Sequence, residues 1–422
     1  MSGEPIRFIH ASDLHLEQPM TGIGPVPDAL RAPLIEAPFL AAQRVFETAR
    51  LERVDFVVLS GDIVHPLSAG PAGICFLTDQ LQELSAAQIP VYWAGGRIDR
   101  FHQWPKAAIL PEKVYRSASR DVRAHPFYRN GEVAALIQLS GYQGRGAVDA
   151  ALFSGESSEA PVIAVGYGDL KQTKDAGQTV NYWALGGRHQ RSTEETDGVV
   201  FHYPGTPQGR APEEYGSHGC TLVEINGKGR IETQLIECDA IQWTRRELRL
   251  TASTSRRKME RQIVELTKDL LAQSQNQPQL IQWAIGGTER VNWTSPSVAR
   301  EVLTMLRQRF ASADTDLWVT GVEFLYSAEF PEPVLEAETI AGDFFEIVQK
   351  LRSGDAWPDV LSEELSQYPL VEEVIGSQVV RTKKDREALL QLVARLGLDL
   401  LGAEQTVSER EAQERQALRE AS

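Results

Sequence analysis

At 422 residues the chain exceeds one ordinary hydrophobic core, so two or three domains are expected. Hydrophobic residues make up 42% and charged residues 24%, the balance of a folded globular protein and not of a disordered chain. The net charge of −15 argues against broad, nonspecific attraction to phosphate backbones, so any nucleic-acid contact has to come from a local basic face. No apolar run approaches the roughly 20 residues that span a bilayer. The opening IRFIHASD also lacks the basic-then-apolar pattern of a secretory signal. Cys75, Cys220 and Cys238 sit at unrelated spacings that fit neither a disulfide framework nor a thiolate zinc site. A cytoplasmic protein with no membrane association is expected.

In chain order, IRFIH from Ile6 reads as a buried strand, and apolar groups at helical spacing predict a helix over Ala37–Arg53. DFVVLS from Asp55 is a strand, Phe76–Ala87 a helix, and PVYWA from Pro90 a third strand. Strand segments then follow without helices between them: VAALIQLSGY, PVIAVGY, NYWALGG, GVVFHYPG, GCTLVEI and RIETQLIEC. A parallel half followed by a run of strands predicts two sheets packed face to face with helices outside. Trp93 and Trp183 fall in strand patterns and read as core, and His10 as a group within or just behind the first strand.

A second unit begins near Trp243, with the order strand (RRELRLTAS), helix (Arg256–Gln273), strand (QLIQWAIGG), helix (Pro296–Phe310), strand (LWVTGVEFLYS). Its first part holds a basic segment, in which Arg245, Arg246, Arg249, Arg256, Arg257, Lys258 and Arg261 face only Glu247 and Glu260. That segment reads either as a solvated amphipathic face or as a contact for phosphates, and the first reading is favoured. From Pro331 the chain turns acidic, with a helical pattern around Phe344–Leu351 and a further helix over Asp385–Leu401. There Leu389, Leu390, Leu392, Val393 and Leu396 form one apolar stripe. The domains are therefore drawn at 1–242, 243–330 and 331–422.

Three polar clusters follow three predicted strands directly: Ser12-Asp13-Leu14-His15, Gly61-Asp62 and Gly95-Gly96-Arg97-Ile98-Asp99. In an open α/β sheet the carboxyl ends of the strands form the crevice where ligands bind. Carboxylates and imidazoles converging there make a mixed oxygen and nitrogen site suited to manganese, iron or zinc. Each cluster alone is a weak signal. Their ordered combination is much stronger.

HASDLHL, then VDFVVLSGDIV, then a glycine-rich turn ending in aspartate, resemble the opening motifs of the calcineurin-like metallophosphoesterases. The segments YWALGGRHQRS and YPGTPQGRAPEEYGSHGCTLVEI resemble that family's later GHxH motif and the turn and strand after it. The likeness is to the DNA-repair exonuclease subunit of the SbcD type, which works with an SMC-like coiled-coil ATPase. It covers Ile6 to about Trp243, and the next unit is similar in layout to that family's DNA-capping domain. The resemblance implies a calcineurin-like sandwich of two mixed sheets flanked by helices, a smaller α/β capping domain and a helical C-terminal region. It implies DNA, an SMC-like coiled-coil ATPase and, as a further option, a second copy of the chain as partners.

The resemblance also assigns the site. A first divalent metal, manganese foremost with iron or zinc as alternatives, is held by Asp13, His15, the bridging Asp62 and His189. A second takes Asp62 and three further groups, and at those positions stand Arg97, Gly166 or Tyr167, and Gly187. The catalytic histidine of the glycine-rich turn is replaced by Ile98, while its aspartate partner survives as Asp99. One metal and the general acid are thus lost together. Arg97 and Arg188, with Asp99, are the expected phosphate-binding groups, because a guanidinium replaces positive charge and forks onto phosphate but does not activate water. Equally, the two arginines pair with Asp62, Asp99 or each other's neighbours and plug the cavity. Three functions follow: a nuclease-impaired DNA-binding or scaffolding subunit with one metal half-site, which is favoured; an active phosphodiesterase or exonuclease using one metal with Arg97 and Arg188; or a non-catalytic interaction protein without nucleic acid.

Overall fold

The computed structural model describes residues 4–142, 144, 147–153, 160–171, 179–251, 253–273, 277–287, 291, 293–310, 317–325, 340–353, 390, 393 and 397. The first sheet is built from β1 (Ile6–Ala11), β2 (Phe56–Leu59), β3 (Val91–Ala94) and β4 (Val114–Ser117), all parallel. It is completed on its other edge by strands described below. Between these strands run α1 (Asp28–Leu51) and α2 (Gly70–Ala86). The second sheet contains β5 (Arg123–Arg129), β6 (Glu132–Leu139), β8 (Val162–Tyr167), β10 (Tyr182–Gly186), β11 (Ser192–Thr196) and β12 (Val199–Tyr203). Its order is β11-β12-β10-β8-β6-β5. Two short strands, β7 (Ala147–Asp149) and β9 (Asp169–Lys171), pair outside it. The chain then returns to the first sheet as β13 (Gly219–Ile225) and β14 (Ile231–Glu237), giving β14-β13-β1-β2-β3-β4. Two mixed sheets flanked by helices are the calcineurin-like architecture expected.

The layers follow from strand alternation. Phe8, Phe56 and Val58 point between the sheets, where they meet Ile137, Ile163, Val165, Tyr182 and Ala184. Ile9, Val57, Leu59 and Trp93 point the other way, onto Val45, Phe46 and Ala49 of α1 and Leu77 and Leu81 of α2. Strands covered on both faces need apolar residues at every position, which is why these segments read as continuous runs. Trp93 and Trp183 are fully buried. Truncating Trp93 to alanine removes a large core side chain, a class of change that costs about 3–5 kcal/mol.

Where expectation and structure differ, packing or position explains it. Helix α1 begins at Asp28, upstream of the expected Ala37, and carries Pro33 and Pro38 inside it. Prolines argue against a helix interior. Here the turns around them bury Leu34, Ala37 and Pro38, and Leu34 and Ala37 join a cluster with Ile23, Ile241 and Trp243. Strands β4, β5 and β11 were not expected. They lie at sheet edges, with charged residues and, in β5, Pro126, features an edge tolerates and a central strand does not.

The chain divides into two compact units, one comprising Met1–Arg245, Asp269–Gln282 and Phe310–Gly321 and the other Arg246–Lys268, Trp283–Arg309 and Val322–Ser422. The later elements are β15 (Gln242–Arg249), α3 (Arg256–Gln273), β16 (Gln279–Gly286), α4 (Pro296–Phe310), β17 (Leu317–Leu325) and α5 (Ile340–Ser353). Strands β15, β16 and β17 form one sheet in that order. In the basic segment, Arg256 is tied to Glu260 and Glu301. Of the helix expected over Asp385–Leu401, only 390, 393 and 397 are described, each helical, and the rest of the apolar stripe lies outside the described residues. No described helix is long and apolar enough to cross a membrane.

One buried acid makes the fold pH-sensitive. Burial, reinforced by Glu237, pushes the Asp239 carboxyl up to about 7, and its Oδ2 has no hydrogen-bond partner among the described residues. A raised native pKa means that the folded state holds this proton after the unfolded chain has released it. Stability from this group is therefore lost as pH climbs from the ordinary carboxylate range toward 7. Asp239→Asn is expected to raise the melting temperature more at about pH 8 than at about pH 5. Thermal melts at both pH values check this.

Candidate metal centre

The site forms where β1, β2, β3, β8 and β10 all end. The turn after β1 carries Asp13 and His15, and that after β2 carries Asp62. All three adopt left-handed backbone, with φ of 54°, 44° and 52°. Left-handed φ is uncommon for residues with a side chain and persists only where the surroundings enforce it. The two turns enforce each other: Asp13 N–H donates to Gly61 O at 2.9 Å and His15 N–H to Asp62 O at 3.1 Å. Gly96, after β3, lies so close that a Cβ there would be 2.3 Å from Asp62 N. Only glycine fits.

Asp13, His15 and His189 each offer a ligand atom, all within 4.8 Å of one another. His15 Nε2 lies 3.8 Å from Asp13 Oδ1 and 3.7 Å from Asp62 Oδ2, and His189 Nε2 lies 3.9 Å from Asp13 Oδ1. Asp13 Oδ1 and His15 Nε2 are buried with no hydrogen-bond partner among the described residues. Buried polar atoms are nearly always satisfied, so two such atoms facing one point fit the ligand set of a cation. The donors are two imidazoles and carboxylate oxygens, a set suited to a first-row transition metal.

Each histidine is braced from behind. His15 Nδ1 lies 3.3 Å from Glu17 Oε1, and His189 Nδ1 lies 2.5 Å from Glu214 Oε1. A carboxylate on Nδ1 fixes the tautomer that presents Nε2 to a metal. Glu17 and Glu214 are themselves anchored, Glu17 Oε2 by His65 N–H and Glu214 Oε2 by Arg210 N–H. Both ring nitrogens of His218 face carbonyl oxygens at 2.9 Å, one of them that of Glu214. Neither glutamate was expected at the site. Glu17 was legible two residues after His15, whereas Glu214 lies 25 residues from His189 with no spacing to mark it.

The pocket carries surplus negative charge. Burial lowers the pKa of His15, but the carboxylates of Asp13 and Glu17 outweigh it and raise it. Burial raises that of Asp62. Arg210, 4% exposed, is the buried counter-charge; desolvation lowers its pKa, against the pull of Glu214, Asp13, Glu17 and Asp62.

The remaining expected residues fare differently. Asp99, expected among phosphate-binding groups, instead accepts the backbone N–H groups of Ile63, Val64 and Gly96 at 2.8–3.0 Å and is buried. Burial and the neighbouring Asp62 push its carboxyl up to about 7. It ties the second turn to the third. Arg188, also expected to bind phosphate, is turned onto Asp169 at 2.7 Å and stacks over Tyr203 at 4.2 Å, an exposed pairing with neither Asp62 nor Asp99. Arg97 is exposed, and its guanidinium makes no hydrogen bond or ion pair among the described residues. Ile98 donates its N–H to Asp62 Oδ1 at 3.0 Å and brings no titratable group. His10 bonds to Ser60 and Tyr182 in the core behind the site, and burial lowers its pKa. Of Gly166 and Tyr167, it is Tyr167 that enters the site: its hydroxyl donates to Asp62 Oδ2 at 2.5 Å. Burial, then Asp62, raises the phenol's pKa.

The family model described as calcineurin-like phosphoesterase matches residues 6–227, more than half of the chain. The chain belongs to the calcineurin-like phosphoesterase family. The uncharacterized metallophosphoesterase YhaO of Bacillus subtilis (strain 168) is 28% identical over 261 residues, 58% of this chain and 64% of that protein. The chain thus spans less than two thirds of that relative's length. Among solved structures, a dimetal phosphatase from Danio rerio is similar at 13% identity and a TM-score of 0.31, over 55% of this chain and 98% of that one. An archaeal phosphodiesterase is similar at 15% identity and a TM-score of 0.29, over 55% and 100%.

The donor geometry gives a direct test. Manganese at about a hundredfold excess over its Kd should stabilise the protein by about 2.7 kcal/mol. Asp13→Asn with His189→Ala should abolish that thermal shift. Glu214→Gln should keep the fold and weaken the metal about 10- to 100-fold, as loss of a supporting hydrogen bond does. An undiminished shift in the double variant would show that the metal binds elsewhere.

Proposed function

We propose that this family member is a one-metal phosphoesterase of the DNA-repair-exonuclease kind, strongly impaired in hydrolysis, that binds phosphodiester backbones. The observation that carries it is the pair of orphaned buried donors, Asp13 Oδ1 and His15 Nε2, facing His189 Nε2 and Asp62. When bound, a divalent ion there supplies Lewis-acid charge for a phosphoryl oxygen and lowers the pKa of water. Manganese is the proposed ion.

The chain's own residues set the limits. Asp13, His15, Asp62 and His189 hold the ion, while Glu17 and Glu214 keep the imidazoles aligned. Arg97, exposed and without an ion pair among the described residues, is the group available to fork onto a phosphate. Nothing at position 98 protonates a leaving oxygen, since Ile98 stands where the resemblance places a histidine. Arg188 contributes little while it is held by Asp169. That contact weakens the alternative of an active enzyme using both arginines. Proposed partners are DNA and an SMC-like coiled-coil ATPase, in the cytoplasm, with the C-terminal region as the docking element.

With manganese, cleavage of single- and double-stranded DNA should be absent or very weak, because general acid catalysis alone is worth about 10² to 10⁴-fold. Ile98→His alone should recover little. Robust metal-dependent cleavage that disappears in Asp62→Ala would refute the impairment and favour an active one-metal enzyme with Arg97. Truncation after Val380 should abolish co-purification with a coiled-coil ATPase. Undisturbed association would remove the C-terminal region from the interface.

A further inference from the structure

Tyr167 ends β8, and strand alternation sends its side chain into the site while residue 166 faces away. A Cβ on Gly166 would lie 3.1 Å from Val148 Cγ2, on the outer side of the sheet. The phenol is wedged between glycines. A Cβ at Gly61 would sit 2.6 Å from Tyr167 Cδ2, and one at Gly187 3.2 Å from its Cζ. Tyr142 packs edge-on against the ring at 5.7 Å, and Gly168 N–H donates to Gly186 O at 2.9 Å, clipping β8 to β10 just beneath it. The hydroxyl donates to Asp62 Oδ2, the oxygen that also faces His15 Nε2.

We propose that Tyr167 is the residue that fixes the ion stoichiometry of this centre at one, closing the second place with a phenol matched to the absent side chain of Gly187. This rests on the one-metal reading above. The two positions exclude each other sterically: any side chain at 187 starts in contact with the phenol ring, on backbone whose φ of +93° already disfavours one. They also exclude each other chemically. Asp62 Oδ2 accepts the phenol O–H and Oδ1 accepts Ile98 N–H, so neither oxygen is left without a donor, and the phenol satisfies the carboxylate without adding charge. Arg97 lies close enough to act electrostatically on the phenol, and it leaves the second place without a donor from the third turn. Tyr167 is thus a specificity residue for the metal and not a plug of convenience.

Manganese content and affinity, measured on the full chain by native mass spectrometry and calorimetry, test this. The wild type should take up one ion. Tyr167→Phe should still take up one, bound about tenfold more weakly because Asp62 Oδ2 loses its hydrogen bond. Arg97→Asn with Gly187→His should remain at one ion while Tyr167 is present and should melt at lower temperature. Adding Tyr167→His should raise the count to two and recover part of the lost melting temperature. Two ions in the Arg97→Asn/Gly187→His chain would overturn the proposal. So would a single ion in the triple variant when circular dichroism shows it folded and Asp62→Ala still removes that ion. A wild-type count of zero or two would instead overturn the one-metal reading, whatever Tyr167 does.

Discussion

The structure around the centre depends on one constraint: two carboxylates, Asp13 and Asp62, are buried within reach of the same point. Removing a charge from water costs on the order of several kcal/mol per ion unless it is paired or hydrogen-bonded. The neighbourhood reads as the answer to that cost. Asp13 Oδ2 accepts from Ser12 and from Gly187 N–H, and Asp62 Oδ1 accepts from Ile98 N–H. Arg210 is buried to balance the cluster, although its own desolvation is unfavourable. Left-handed turns and glycines without room for a Cβ are what bring the carboxylates that close. What remains unpaired there among the described residues is Asp13 Oδ1 and His15 Nε2, which face the metal position, and Arg210 Nε.

Much of this was legible from the chain. Strands that end in Ser-Asp-x-His and Gly-Asp place chemistry at the carboxyl edge of a parallel sheet, and Asp13, His15, Asp62 and His189 could be named from that pattern and the family resemblance. The partners that make them work could not. Glu214 reaches His189 from a turn folded back by His218, and no local pattern announces such a contact. Position 166 or 167 could not be chosen either, because a shift of one residue along a strand reverses the face. Only the outer-layer contact at Val148 decides it. Arg97 and Arg188 looked alike in the sequence, and the neighbour Asp169 separates them.

The fold was legible for a related reason. Strands covered on both faces are continuous apolar runs, and those runs were found. The edge strands β4, β5 and β11 carry polar residues and proline because one side has no ladder to complete. Helix α1 was expected from Ala37 on the apolar spacing of Phe39 to Ala49, whereas the segment before it, which carries Pro33 and buries Leu34, extends the helix back to Asp28.

The hydrogen bond from Tyr167 to Asp62 also changes how the molecule meets its ligand. A proton shared within a neutral phenol satisfies a carboxylate locally, whereas a dication would change the field at the mouth of the cleft. On the proposed one-metal reading the cleft stays about two charges more negative than one holding a second ion, on a chain whose net charge is already −15. Oxyanions approaching it feel repulsion until they come within roughly a Debye length, about 8 Å at physiological ionic strength, of an exposed cation such as Arg97. On the proposed one-metal reading, capture of phosphate esters is slow at low salt and is eased as added salt screens the acidic surface, the opposite of a protein that draws polyanions in by its overall field.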